Sequence, residues 1–174
     1  ATTTGKTITT NGVSLNAPLT FSGVGGGWTL GSALSTSATL TITAGALDTS
    51  AAGNYSLQCG TMVCTSASTS ALFLNASTVN VTTNTAAQFT GTGFTLNAGT
   101  SQINFTSGAG FNLSGGGRTF YNVAHTGTAL ISALSFTITG ANTFNNLAFT
   151  PPTNQLCPRV TFGANQTVNG TFSV

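Results

Sequence analysis

Charge is almost missing from this sequence. Among 174 residues there are three cations, Lys6, Arg118 and Arg159, and one anion, Asp48, so charged residues make up 2% of the chain, where an average soluble domain carries about 25%. Scattered cations form no basic stripe, so no nucleic-acid partner is expected. A lone carboxylate cannot supply the carboxylate pair of a polysaccharide hydrolase, unless subunits share a site. Glu, Lys, Arg and Gln are scarce enough to exclude helix throughout. Long apolar runs are missing too: clusters such as Ala71 to Leu74 fall far short of the roughly 18 residues of a spanning helix, and no membrane insertion is expected. No basic-then-apolar leader begins at Ala1, which leaves a processed chain or a segment of something longer.

What remains is apolar and hydroxylic. The chain is 40% hydrophobic with twelve Phe, whereas disordered chains are charge-rich and poor in such residues, so it should fold. Its length suits one domain, residues 1–174, and no linker-like block divides it. Alternation at period two runs through Thr39-Leu40-Thr41-Ile42-Thr43, Val79-Asn80-Val81-Thr82, Ile103-Asn104-Phe105-Thr106 and Phe136-Thr137-Ile138-Thr139. Each stretch places apolar side chains on one face and Thr or Asn on the other, the signature of short half-buried strands between Gly, Asn and Ser turns.

The strands also repeat. "TFYNVA" (Thr119 to Ala124) returns as "TFNNLA" (Thr143 to Ala148), and "TVNG" (Thr167 to Gly170) follows at the same interval. "GAN" at Gly140 to Asn142 recurs at Gly163 to Asn165, and "GGGWTL" is echoed by "GTGFTL" and "GGGRTF". A unit of roughly 20–24 residues predicts an all-β fold, a parallel β-helix (β-solenoid), with an antiparallel β-sandwich as the alternative that needs no period. Equivalent positions then stack about 4.8 Å apart. Phe120, Phe144 and Val168 would form an apolar ladder, and Asn122 and Asn146 either interior amides bonded turn to turn or a corner. Roughly eight turns would give a rod of about 40 Å. Neither end carries a helical or charged cap, so the ends are expected to be covered by other chains or by missing sequence.

In "TFNNLAF", "LNAGTSQINFT" (Leu96 to Thr106), "GGGRTFYNV" and the stretch from Gly23 to Ser50, the chain resembles the repetitive β-helical segments of bacteriophage virion proteins and large bacterial surface proteins. The resemblance covers about Thr7 to Phe149. It implies a parallel β-helix in an extracellular, cell-surface or virion setting and carries no catalytic residues. The cysteine segments "LQCGTMVCTS" and "TPPTNQLCPRV" depart from its pattern.

Candidates for chemistry are few. Asp48, in "GALDTS", reads as a turn former bonded to its own backbone. His125, in "NVAHTG", reads as a surface residue beside a turn, without partners for a triad or a metal site. Lys6 in "TTGKTITT" lacks the upstream glycine of a phosphate loop, and the glycine runs at 25–27 and 115–117 read as corners. Cys59 and Cys64 are spaced for a small-loop disulfide in an oxidising setting, with Cys157 buried or paired between chains. Asn54, Asn75, Asn80, Asn104, Asn112, Asn165 and Asn169 head Asn-x-Ser/Thr sequons, acceptors if the host glycosylates.

The leading functional expectation is a non-enzymatic, self-associating structural solenoid with no cofactor, forming a stiff fibre or spacer. Self-association follows from a near-neutral surface that offers little like-charge repulsion. A second expectation is an adhesin or receptor-binding module that touches glycans through Trp28, Tyr55 and Tyr121, although these are scattered. A third is an ice-binding solenoid, suggested by Thr39, Thr41 and Thr43.

Overall fold

The structure, a computed structural model, describes residues 5–49, 53–127, 135–149 and 159–174. Every strand pair among them is parallel, and none of the residues is helical. This is a β-solenoid of about six turns, and parallel pairing removes the antiparallel sandwich. The count is lower than the roughly eight expected. Paired residues lie from 19 apart (Trp28 with Leu47) to 26 apart (Ala87 with Leu113). At about 4.8 Å per turn the stack rises roughly 30 Å.

Three short segments build each turn. On the first flank, Thr61–Val63, Ala87–Gln88, Gly110–Ser114, Ser135–Thr139 and Arg159–Phe162 follow one another up the stack. The longer strands Leu19–Leu30 and Thr39–Asp48 begin on that flank and bend onto a second, where their ends pair with Lys6–Ile8 and Ser70–Phe73 respectively. Alternation in Thr39–Asp48 breaks at Ala44 and Gly45, both buried, and this is the bend. Gly45 has φ +79°, and a Cβ there would strike the Gly23 carbonyl, so the corner requires glycine. The third flank stacks Leu57–Cys59, Thr78–Val81, Gln102–Phe105, Thr119–His125 and Thr143–Phe149.

Period-two patterning decides which side chains enter the interior. Leu57, Val79, Ile103, Val123 and Leu147 sit in successive register on the third flank, each buried. Beside them run Cys59, Val81, Phe105, His125 and Phe149. The 24-residue echo is literal stacking: Phe120 pairs with Phe144, and Phe144 with Val168. The Phe120 and Phe144 rings lie 5.5 Å apart and nearly parallel. Such columns remove whole side chains from water, each stabilising by about 1.5–3 kcal/mol.

One alignment from the sequence is off by a residue. Asn142 bonds to Gln166, 24 residues on, not to the Asn165 of the second "GAN"; Asn165 is exposed. Equivalence follows the backbone ladder, in which Thr143 pairs with Thr167.

Candidate functional site

The outer face of the third flank carries the most ordered array of polar side chains. Gln58, Asn80 and Asn104 stand in successive register, and beside them Gln102, Asn122 and Asn146. Asn104 Nδ2 donates to Asn80 Oδ1 at 3.1 Å, and Asn146 Nδ2 donates to Asn122 Oδ1 at 2.9 Å. Gln102 Nε2 joins the two columns by donating to Asn104 Oδ1 at 2.9 Å. Asn122 and Asn146 are half-buried and sit where alternation breaks, between buried Phe120 and Val123 and between Phe144 and Leu147. They are corner residues that bond turn to turn. An amide both donates and accepts, so identical amides satisfy each other without net charge.

A second amide lies deeper. Asn142 is buried, and its Oδ1 accepts from the backbone N–H groups of Gly117 (3.0 Å) and Arg118 (3.2 Å) in the turn below. Its Nδ2 donates to the Thr139 and Gly140 carbonyls and to Gln166 Oε1, each at 3.0 Å. One side chain thereby ties together three consecutive turns.

Arg118 is a structural residue that the sequence did not reveal. On the second flank Phe94–Asn97 pairs below with Ser70–Phe73, but no strand pairing joins it to residues 119–121 above; a recess of about 240 Å³ separates them. Beside this break the Arg118 guanidinium donates to the Phe89 carbonyl at 3.2 Å and the Gly91 carbonyl at 2.6 Å, and it lies over the Phe94 ring. The guanidinium thereby ties its turn to residues 89–91 of the turn below.

Several expected positions need correction. His125 is fully buried, not at the surface. Its Nε2 donates to the Ser107 carbonyl at 2.8 Å, its Nδ1 has no partner, and the ring packs 4.7 Å from Phe136 in the aromatic interior. Period two from Val123 turns it inward, a phase carried by "NVAH" that the polarity of histidine masks. Asp48 is the last residue of the strand Thr39–Asp48, in register with Thr29 and Phe73. It lies on an outer face whereas His125 is interior, so the two form no catalytic pair.

The expected Cys59–Cys64 disulfide is not formed; both are free, buried thiols. They stand on different flanks, Cys59 ending the strand Leu57–Cys59 and Cys64 following the strand Thr61–Val63. Burial pushes the Cys59 thiol up to about 12, and burial together with neighbouring Cys59 raises Cys64 as well. Thiols held protonated are poor nucleophiles and poor metal ligands. Cys157 lies outside the described residues.

The aromatics proposed for glycans do not converge. Trp28 and Tyr55 pack against the core, Trp28 edge-on to Phe21 at 5.1 Å, while Tyr121 borders the recess on the second flank. The Thr39 and Thr41 array pairs with Thr61 and Val63, so threonine gives way to valine one turn on. Among the sequons, Asn54, Asn75, Asn112, Asn165 and Asn169 are exposed, whereas Asn80 and Asn104 are half-buried in the amide columns. No group of three His, Cys, Asp or Glu side chains among the described residues could hold a metal ion.

Parallel turns stacked on amide columns and aromatic ladders define the class, a β-solenoid whose polar side chains are spent on bonding one turn to the next. No protein-family model, no curated protein and no solved structure matches the chain.

Proposed function

We propose that this chain is a non-enzymatic structural solenoid, a stiff spacer or fibre element of a cell surface or virion, that self-associates through uncharged faces. The observation that carries the reading is at the last described turn. There the interior columns open into a recess of about 520 Å³ lined by Leu147, Phe162, Val168 and Phe172, with Phe162 and Phe172 44% and 48% exposed. Strand edges on this turn have a partner on one side only, and an unpaired edge over an apolar recess is a template for another turn of the same kind. The first turn of a second copy has that form: Lys6–Ile8, Ser14–Leu15 and the start of Leu19–Leu30 bring Ile8, Leu15 and Leu19 to the matching flanks.

Self-association is tested by sedimentation over a wide concentration range, comparing the chain with a Phe162→Lys, Phe172→Lys double variant. Mass should rise with concentration for the unaltered chain, and the variant should remain monomeric with an unchanged far-ultraviolet spectrum. A unaltered chain that stays monomeric throughout would overturn the reading.

A further inference from the structure

Two Asn-Gly pairs occur among the described residues, Asn11-Gly12 and Asn169-Gly170. The dipeptide has chemistry of its own. The backbone nitrogen of the glycine attacks the side-chain carbonyl carbon of the asparagine, a C–N bond forms, ammonia leaves, and a five-membered succinimide remains. Water then adds and opens the ring at either carbonyl, giving aspartate or isoaspartate. Glycine favours the step because no Cβ shields its nitrogen, and that nitrogen must be free to lose its proton and turn inward.

The structure separates the two pairs on that requirement. At Asn169-Gly170 both backbone nitrogens are engaged: Asn169 N donates to the Phe144 carbonyl at 2.9 Å and Gly170 N to the Asn145 carbonyl at 2.7 Å. These two bonds fix the peptide between the pair on the turn below, and even a Cβ at Gly170 would collide with Asn146 Oδ1. At Asn11-Gly12 only the asparagine nitrogen is held, by the Ser32 hydroxyl at 3.3 Å. Gly12 N makes no hydrogen bond, both residues are exposed, and nothing lies within 4 Å of where a Gly12 Cβ would stand. The pair forms the tip of a tight turn closed by Val13 N donating to the Thr10 carbonyl at 3.0 Å, with φ +52° at Asn11 and +81° at Gly12. Neither this bond nor the one from Asn11 N to Ser32 Oγ involves the Gly12 nitrogen, which stays free for the attack.

We propose that Asn11 is a site of spontaneous modification, converting to aspartate and isoaspartate through a succinimide with Gly12, while Asn169 is protected by the fold. The product matters in this chain because it adds a side-chain carboxylate to a molecule that has one. It does so on the first turn, next to the Ser32 hydroxyl that accepts from the Thr10 and Asn11 nitrogens.

The test is peptide mapping by mass spectrometry after incubating the folded chain at mildly alkaline pH, with isoaspartate scored by its altered retention. Conversion at Asn11 should run at least roughly fivefold faster than at Asn169, the ratio one ordinary hydrogen bond supports. In denaturant the two rates should draw together, and Gly12→Ala should suppress the Asn11 product. Equal rates in the folded chain, or faster conversion at Asn169, would overturn the assignment.

Discussion

His125 shows how far the interior dictates the residue. Its neighbours in register are Phe105 below and Phe149 above, and one ring nitrogen has no partner. His125→Phe should therefore hold stability within about 1 kcal/mol, the lost bond to Ser107 being offset by removal of a buried orphan acceptor. His125→Ala should cost about 3 kcal/mol through the cavity it leaves; denaturant midpoints distinguish the two. Asn142→Ala should cost about 2–3 kcal/mol, because it strands the Gly117 and Arg118 amides and Gln166 in one step. The buried thiols give a pH prediction. Cys59 ionises near 9.0 when unfolded and about 12 when folded, so its contribution is complete below pH 9 and is lost as pH rises from 9 towards 12. A Cys59→Val, Cys64→Val variant should show a shallower fall in urea midpoint over that range, and the unaltered thiols should resist alkylation at pH 8 until the chain unfolds.

Corners govern the strands. Gly45 turns Thr39–Asp48 from one flank to the next at φ +79°, with the Gly23 and Gly26 carbonyls pressed against the place a Cβ would occupy. Gly45→Ala should destabilise by about 2 kcal/mol or more, measured by thermal unfolding, whereas Gly12→Ala, with open space around it, should cost about 1 kcal/mol from backbone strain alone. Strand identity and facing were legible because period two is a direct consequence of the pleat, as in Val79, Val81, Ile103 and Phe105. The Phe120 and Phe144 stack was legible because stacked turns repeat their sequence. Arg118 was not, since its role depends on the Phe89 and Gly91 carbonyls of the turn below, and such a contact leaves no mark on composition. The bond from Asn142 to Gln166 was not legible, because the second "GAN" stands 23 residues on while the backbone ladder runs at 24.

The whole molecule is a one-dimensional stack in which each turn contacts only its neighbours, and side chains on its outer faces make uncharged bonds between turns. An array of this kind can lengthen without accumulating repulsion, which is the physical basis for reading it as a component of a larger assembly. The last described turn exposes the same kinds of side chain, Phe162 and Phe172, that fill the interior. Electron microscopy of the unfused chain at rising concentration tests that reading most directly. The account predicts rods that lengthen with concentration, joined end to end with parallel turns continuing across each junction. Discrete particles about six turns long at every concentration would contradict it.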